Sequence, residues 1–487
     1  MRSKKIYITI LIVLISLLYS CEDYLEPVTF DKISPSNFFE TRNDVNAAVT
    51  GIYAEFANNY ISRIYNGEYG TDEFRNNWGW GDAINNFLWS GDAIYSSLYH
   101  QSLPAVTRAG ALIQVIEDID FLNEQEKIRF IAEIKTARAI HMFDLLNSYG
   151  PCPVILDEEQ LEFPDNSYKP VRPKLDSPES EAYRADYVDQ IVNDLNDAIN
   201  DLEADAIEFG RFNKGIALTI LMKLYLHEKN WEGVVSTSEQ IMGLGKYSLE
   251  SDYASIWSID NEQNDEIIWA IPRTSNLESF GQPFRARTLT SEYDLTEEEG
   301  WDGDKVRFEF YDTFNENDIR KEKIVVEFVD TDGDTIDMRA PGEDFFGGYN
   351  FKYDNDPDAR TYSGVDIIYL RYADILLSRA EALNEINGPN QESINLINQV
   401  RERTGLSDVE LAQFASKTEL RDHILAERGW EFYMEGFRRE DLIRNGKYIS
   451  RAIARGAEAR EYNVLYPIPQ GAYRENSNIE QNPGYDL

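Results

Sequence analysis

Two carboxylates four residues apart, Glu431 and Glu435, are the closest this chain comes to a hydrolytic pair. On a helix they would share one face at a separation of one turn. A glycosidase needs one such carboxyl kept protonated by a raised pKa. Here Arg438 and Arg439 follow at three and four residues, the favourable order for helix ion pairs, and would hold both groups ionised. Structural ion pairing is therefore expected, and no catalytic residue is assigned. The four histidines, His100, His141, His227 and His423, lie in separate helical segments without the H-E-x-x-H spacing of a zinc site. Neither a G-x-S-x-G elbow nor a P-loop occurs. Asp330, Asp332 and Asp334 match the first ligand spacings of a calcium loop, but Pro341 stands where the bidentate glutamate belongs. A tight Asp-Gly hairpin turn accounts better for that stretch, and no metal site is assigned.

The residues with the character of a binding site are different. Between Gly70 and Asp82 the chain places Trp78 and Trp80 among glycines, amides and charged groups, without helical or strand periodicity. Indole faces suit the C–H face of a sugar, and amide, carboxylate and guanidinium groups suit its hydroxyls. Arg75 and Asp72 are placed to orient hydroxyls. The alternative, that these rings plug the scaffold, stays open. Trp89, Trp231, Trp257, Trp269 and Trp430 are read as core.

The elements that must position these residues are mainly helical. Apolar residues recur at three- and four-residue steps from a Ser34-Pro35-Ser36 cap signal through Phe56, over about 123–149, 181–202, 213–228 and 234–242, over 366–386 and 393–403, and in a last long helix over about 420–437. Helix, short turn, helix is the tetratricopeptide arrangement, although its 34-residue consensus is not met. Strand signals are few, at 266–271 and 323–329. The long polar stretches 60–92, 155–180 and 273–365 exceed ordinary loop length and are expected to carry function. The fold class expected is thus mainly α, with tetratricopeptide-like helical hairpins, long irregular loops and a few short β-hairpins.

Charge and the amino terminus limit the partners. The chain has 487 residues, 87 of them acidic against 47 basic, for a formal charge of −40. Nucleic acid, which demands a basic footprint, is excluded. Arg2, Lys4 and Lys5 precede an apolar run, Ile6 to Leu18, too short to span a bilayer. Leu18-Tyr19-Ser20-Cys21 resembles the bacterial lipobox, so residues 1–20 read as a lipoprotein signal peptide and Cys21 as the lipid anchor, bearing palmitate-type acyl chains. Several acyl chains anchor stably where one does not. With Cys21 lipidated, Cys152 has no partner for an intrachain disulfide.

Four motifs, in order, then resemble one family. Tyr369-Leu370-Arg371-Tyr372-Ala373-Asp374-Ile375-Leu376-Leu377-Ser378-Arg379-Ala380-Glu381-Ala382 is similar to the hallmark segment of the SusD/RagB family of outer-membrane nutrient-binding lipoproteins. Glu427-Arg428-Gly429-Trp430-Glu431-Phe432, with Glu435-Gly436-Phe437-Arg438-Arg439 and Asp441-Leu442, resembles its last helix. Tyr466-Pro467-Ile468-Pro469 with Gln481-Asn482-Pro483-Gly484-Tyr485 resembles its closing segment. Arg138-Ala139 and Tyr149-Gly150 with Pro153 resemble its amino-terminal helix and turn. The resemblance implies a SusD-like amino-terminal region over 21–245 and a carboxy-terminal region over 246–487, packed as one body. It implies a cell-surface, lipid-anchored, outer-membrane protein that binds an oligosaccharide, or in some members a peptide, and delivers it to a SusC-like TonB-dependent transporter, with no cofactor. It further implies ligand contacts from Tyr293 and Trp301 in the 280–310 loops, or alternatively that Trp78 or Trp80 faces the transporter. Glu22 and Asp23 resemble the family's surface-export tag. A surface glycoside hydrolase and a helical-repeat interaction scaffold without small ligand are the other classes open at this point.

Overall fold

The computed structural model describes residues 39–91, 95–156, 169–276, 280–293, 299–341 and 345–485. Cys21, the signal segment and the 34–36 cap lie outside them. Residues 1–47 and 48–487 form two units. Of the first, the described part is the opening of helix α1 (Arg42–Asn66), where the Asp44 carboxylate accepts from Thr41 N at 2.7 Å and so satisfies an end of the helix. The second unit, residues 48–487, carries all the remaining elements.

Helices dominate, and each packs on the next. α2 (Ser96–Asp118) lies on α3 (Glu124–Tyr149), followed by α4 (Glu179–Asp201), α5 (Lys214–His227) and α6 (Trp231–Gly243), which packs on α7 (Tyr372–Asn387). α7 in turn receives α8 (Gln391–Glu402) and α9 (Lys417–Phe432). This is the hairpin series that the periodicity predicts, and side-chain caps fix its ends. Asn123 and Glu126 form a reciprocal capping box at α3, while Asn213, Asn230, Asn390 and Ser416 each accept a first-turn amide of their helices. The core between α7, α8 and α9 is built from Leu376, Leu377, Ile397, Val400, Leu420 and Ile424.

Strands hold the loops. β2 (Ile267–Ile271) pairs antiparallel with β8 (Ile367–Arg371), with Ile271 opposite Ile367. The predicted helix over 366–386 therefore starts six residues late, at Tyr372, because its leading Ile367-Ile368-Tyr369 run is apolar and β-prone and reads equally as strand. A four-stranded sheet in the order β1-β3-β7-β4 joins β1 (Phe74–Asn76), β3 (Asp304–Arg307), β7 (Gly347–Asn350) and β4 (Ile324–Val325). β5 (Glu327–Val329) and β6 (Thr335–Asp337) form a hairpin, and Asp330 Oδ1 accepts from the amides of Asp332 and Asp334. The acidic run is thus a self-bonded turn.

Trp89, Trp257 and Trp269 are buried as expected. Trp231 and Trp430 are only half-buried, which corrects their assignment to the core. The reason at Trp430 is helical phase. The inward face of α9 is taken by Ile424, Glu427, Arg428 and Glu431, which leaves Ala426 and Trp430 on the opposite side.

The expected last helix is also shorter than read. It ends at Phe432, and Met434 and Gly436 adopt φ of 60° and 88° before α10 (Arg438–Arg444) and α11 (Tyr448–Ala454). Gly436 allows that turn without a Cβ penalty. Glu435 consequently leaves the helix and pairs with Arg371 and Lys352 instead of Arg438 or Arg439. Around it Asp318, Glu266, Glu427, Glu431 and Glu435 balance Arg320, Lys352, Arg371, Arg401 and Arg403 in one connected, formally neutral network. A second network joins Asp374, Arg428, Asp441, Arg444 and Glu381.

Candidate functional site

The sheet brings together residues far apart in sequence. β1 pairs with β3, Phe74 opposite Val306 and Asn76 opposite Asp304, so the loop after β1 meets the loop before β3. Trp78 leaves the first and Trp301 the second. The Trp78 indole N–H donates to the Trp301 carbonyl at 2.9 Å, and Asn77 N donates to the Gly303 carbonyl at 2.8 Å. Gly303 is required here, since a Cβ would stand 2.3 Å from Trp78 Cε2. Trp80 meets Trp78 edge-on, with ring centroids 5.5 Å apart, and Trp301 meets Tyr362 likewise at 6.1 Å. All three tryptophans are half-buried.

Beneath them the polar groups are fixed. Arg287 sits over the Trp78 ring at 4.5 Å and over Tyr65 at 4.4 Å, and donates to Asp304 at 2.6 Å. Burial opposes its charge, but Tyr65 and Asp304 outweigh that and raise its pKa. Asn76 binds Asp304 through its amide at 2.7 Å and accepts from Trp78 N at 2.9 Å. The platform is thus preorganised: ring orientation is set by bonds already made, which lowers the cost of ordering on binding. Such a surface offers indole faces and edges to an apolar or C–H-rich ligand.

The other expected site residues lie in different surroundings. Both oxygens of Asp72 are engaged by Arg438, at 2.8 and 2.9 Å, and one also by Arg451. Burial would raise its pKa, yet the two arginines hold it far below the usual carboxylate range. Asp72 is therefore a tie between segments and is not carried into the ligand set. Arg75 has its guanidinium 4.1 Å from the Phe346 ring. Tyr293 stacks on Phe328 at 5.5 Å and meets Tyr349 and Phe351 edge-on, at the border of the small core of Leu289, Phe328, Met338 and Tyr349. No sequence signal marked Arg287, Asp304 or Tyr362, whose place follows only from the sheet.

The remaining titratable groups face inward. Glu431 is held by Arg371, Arg403 and Arg320, which overcome the burial penalty and keep it ionised. His141 is buried 3.6 Å from Glu55, and burial pushes its pKa down to about 4. Burial pushes the Cys152 thiol up to about 12. Among the described residues no cluster of His, Cys, Asp and Glu is arranged to hold a metal ion, and no helix is long and apolar enough to cross a membrane.

This mainly helical fold, with few short strands, is SusD-like. The laminarin-binding SusD-like protein shares it, with a TM-score of 0.76 at 22% identity over 92% of this chain and all of that one. Residues 254–485 match the model of the SusD family. The SusD-like protein P25 of Formosa agariphila is 25% identical, covering 95% of both chains, and the starch-binding protein SusD of Bacteroides thetaiotaomicron is 24% identical, covering 76% of this chain and 75% of its own. The carboxy-terminal part of the chain thus matches the SusD family, and the chain as a whole is similar to SusD-like proteins.

Proposed function

We propose that this protein captures an oligosaccharide on the platform of Trp78, Trp80 and Trp301 and passes it to a SusC-like TonB-dependent transporter. In this reading Cys21 carries the lipid that holds residues 21–245 and 246–487, as one body, at the outer surface of the outer membrane, and no cofactor takes part. The observation that carries the reading is the convergence of three half-buried indoles from loops 223 residues apart, pinned by the Trp78–Trp301 hydrogen bond. Unlike the buried Trp257 and Trp269, these three rings meet in one place and keep part of their surface open to solvent. The names of two relatives, one starch-binding and one laminarin-binding, support a glycan as ligand.

The test is calorimetric titration with malto- and laminari-oligosaccharides. Losing one indole face should cost on the order of 1 kcal/mol, about a factor of ten in affinity at roughly 1.4 kcal/mol per decade. Trp80→Ala is the cleaner variant, because Trp78→Ala also removes the bond to the Trp301 carbonyl and opens a gap over Gly303. Binding of wild-type strength in both variants would reject the platform. Purification of the intact chain from membranes tests the transporter, which should accompany it.

A further inference from the structure

A second pocket, of about 280 Å³, lies away from the platform on the outward side of α9. One wall is apolar, with Trp430, Ala426 and Phe310, and the opposite wall carries Arg455 at the end of α11. In a chain of formal charge −40 this wall is locally cationic. Arg455 donates through Nη2 to the Gly70 carbonyl at 2.8 Å, while its buried Nη1 has no hydrogen-bond partner. No carboxylate lies within ion-pair distance of it among the described residues. Arg307, only 8% exposed, is in the same position: its Nε donates to the Phe74 carbonyl at 2.8 Å, and no acid among the described residues pairs with it. Burial first, and then repulsion by Arg455 and Arg75, push the pKa of Arg307 down to about 9 against the opposing pull of Glu309 and Asp72. By contrast Arg438 and Arg451, on the same pocket, are both paired with Asp72.

Arg455 is half-buried and has no carboxylate partner among the described residues, so an incoming anion at its open side offsets part of its desolvation and its repulsion with Arg307. The planar fork of arginine suits a carboxylate or a sulfate, which it grips through paired N–H donors. The indole and alanine wall opposite suits the C–H face of a sugar ring. The volume is that of a small ligand pocket, enough for one sugar unit and its acidic group.

We propose that this pocket binds one acidic sugar unit, a uronate or a sulfated residue, with its anionic group on Arg455 and its ring against Trp430. The anion part stands on the pocket alone, whereas the saccharide part rests on the function proposed above. Glu309, exposed on the rim with no ion-pair partner among the described residues, opposes such a ligand. It supplies a test of sign.

The mature chain is titrated with galacturonate oligomers, with sulfated galactan oligomers, and with neutral galactose oligomers of equal length. At least one acidic probe should bind, and Arg455→Gln should weaken it about tenfold or more, as expected for a hydrogen bond to a charged group. Glu309→Gln should tighten it by roughly two- to fivefold, the scale of one exposed charge. Should Arg455→Gln fail to fold, the exposed Glu309→Gln keeps the test in force. Lys246→Ala, in an exposed pair outside both sites, should leave this binding unchanged, and a failed platform shows separately, in the response of malto- or laminari-oligosaccharide binding to Trp80→Ala. Absence of binding by both acidic probes, wild-type affinity in Glu309→Gln, or loss in Trp80→Ala but not in Arg455→Gln would each overturn the proposal.

Discussion

Replacing Arg371 by methionine should destabilise the fold by an amount that the geometry allows to be stated. Its side chain is wholly buried, with Nε and Nη2 forked onto Glu435 at 2.8 and 2.9 Å and Nη1 bonded to Glu266 at 2.9 Å and Glu431 at 2.5 Å. Nη2 also donates to the Glu431 carbonyl at 2.7 Å. Five carboxylates and five cations make up this network, so methionine leaves one buried negative charge without compensation. Breaking a buried pair on one side costs about 3–5 kcal/mol. At ~2.1 cal/mol/K per residue the unfolding entropy of about 440 residues is roughly 0.9 kcal/mol/K, so the melting temperature should fall by about 3–5 °C. Arg371→Lys keeps the charge but loses the fork and should fall less. Lys246→Ala breaks the exposed pair with Asp205, which is 78% exposed, and should shift melting by under about 1 °C. Differential scanning fluorimetry with urea titration by circular dichroism, at low and high salt, measures all three. The Arg371 loss should persist in salt, because buried pairs are little screened. A methionine variant melting within a degree of wild type, or a lysine variant worse than methionine, would refute the network as the source of stability.

Three shorter expectations accompany it. Trp430→Ala should cost about 1 kcal/mol, well under the roughly 3–5 typical of a buried aromatic, whereas Trp257→Ala should cost the full amount; equal melting shifts would refute the half-buried placement. Glu68 and Glu73 are wholly buried; burial raises both pKa values, that of Glu68 further through repulsion by Glu73, and that of Glu73 to about 7 despite Arg438 and a hydrogen bond from Glu68. The native state then holds more protons than the unfolded chain above about pH 4.5, so this contribution is present below that pH and is lost as pH rises through 7, by at most about 3 kcal/mol. His141, lowered to about 4, gives the opposite slope below pH 6.5, so the measurement is the difference in stability between wild type and Glu73→Gln from pH 5 to 8; a pH-independent difference would sink the assignment. Cys21→Ala should abolish metabolic labelling by an alkyne fatty acid, and unchanged labelling would reject the anchor.

What the sequence shows of this fold is what local chemistry writes down. Asn123 with Glu126, and Asn213, stand at the starts expected of their helices because the bond that ends a helix is made within four residues, whereas the helices capped by Asn390 and Ser416 begin two to three residues before the expected 393 and 420. Helix α2 carries no such signature, and Pro104 in its interior argues against a helix that tertiary packing nonetheless enforces. Of the four-stranded sheet only β4 falls within an expected strand, 323–329. Its strands are two to four residues long, and β1 reaches β3 across more than 200 residues, so no period of two can develop. The tryptophans of the platform were visible as a composition without periodicity, but their convergence depends on that sheet. The motif charges were legible in kind, as ion pairs, and not in partner. Glu435 was expected to meet Arg438 or Arg439, and the turn at Met434 and Gly436 sends it to Arg371 instead.

That turn also ties the motif to the site. Glu68 accepts from Gly436 N at 2.6 Å, Glu73 accepts from Met434 N at 3.1 Å, and the Gly67 carbonyl accepts from Arg439 N at 2.8 Å. Arg438 completes the seam with its fork on Asp72. Residues 67–73 are therefore stitched along their length to 434–439, and β1 and Trp78 come directly after them in the chain. The approach is close enough that a Cβ at Gly67 would stand 1.9 Å from the Gly436 carbonyl oxygen. The carboxy-terminal motif, whose carboxylates look at first like chemistry, thus has a mechanical part: it fixes the base of an amino-terminal loop so that its indoles stay in place without a ligand to order them. A polar and glycine-rich loop could not hold that geometry by its own contacts, since each ordered residue costs about 1–2 kcal/mol of backbone entropy. The charged motif and the aromatic loop are two ends of one device: the first holds the base of the loop, and the second carries the indoles of the proposed platform.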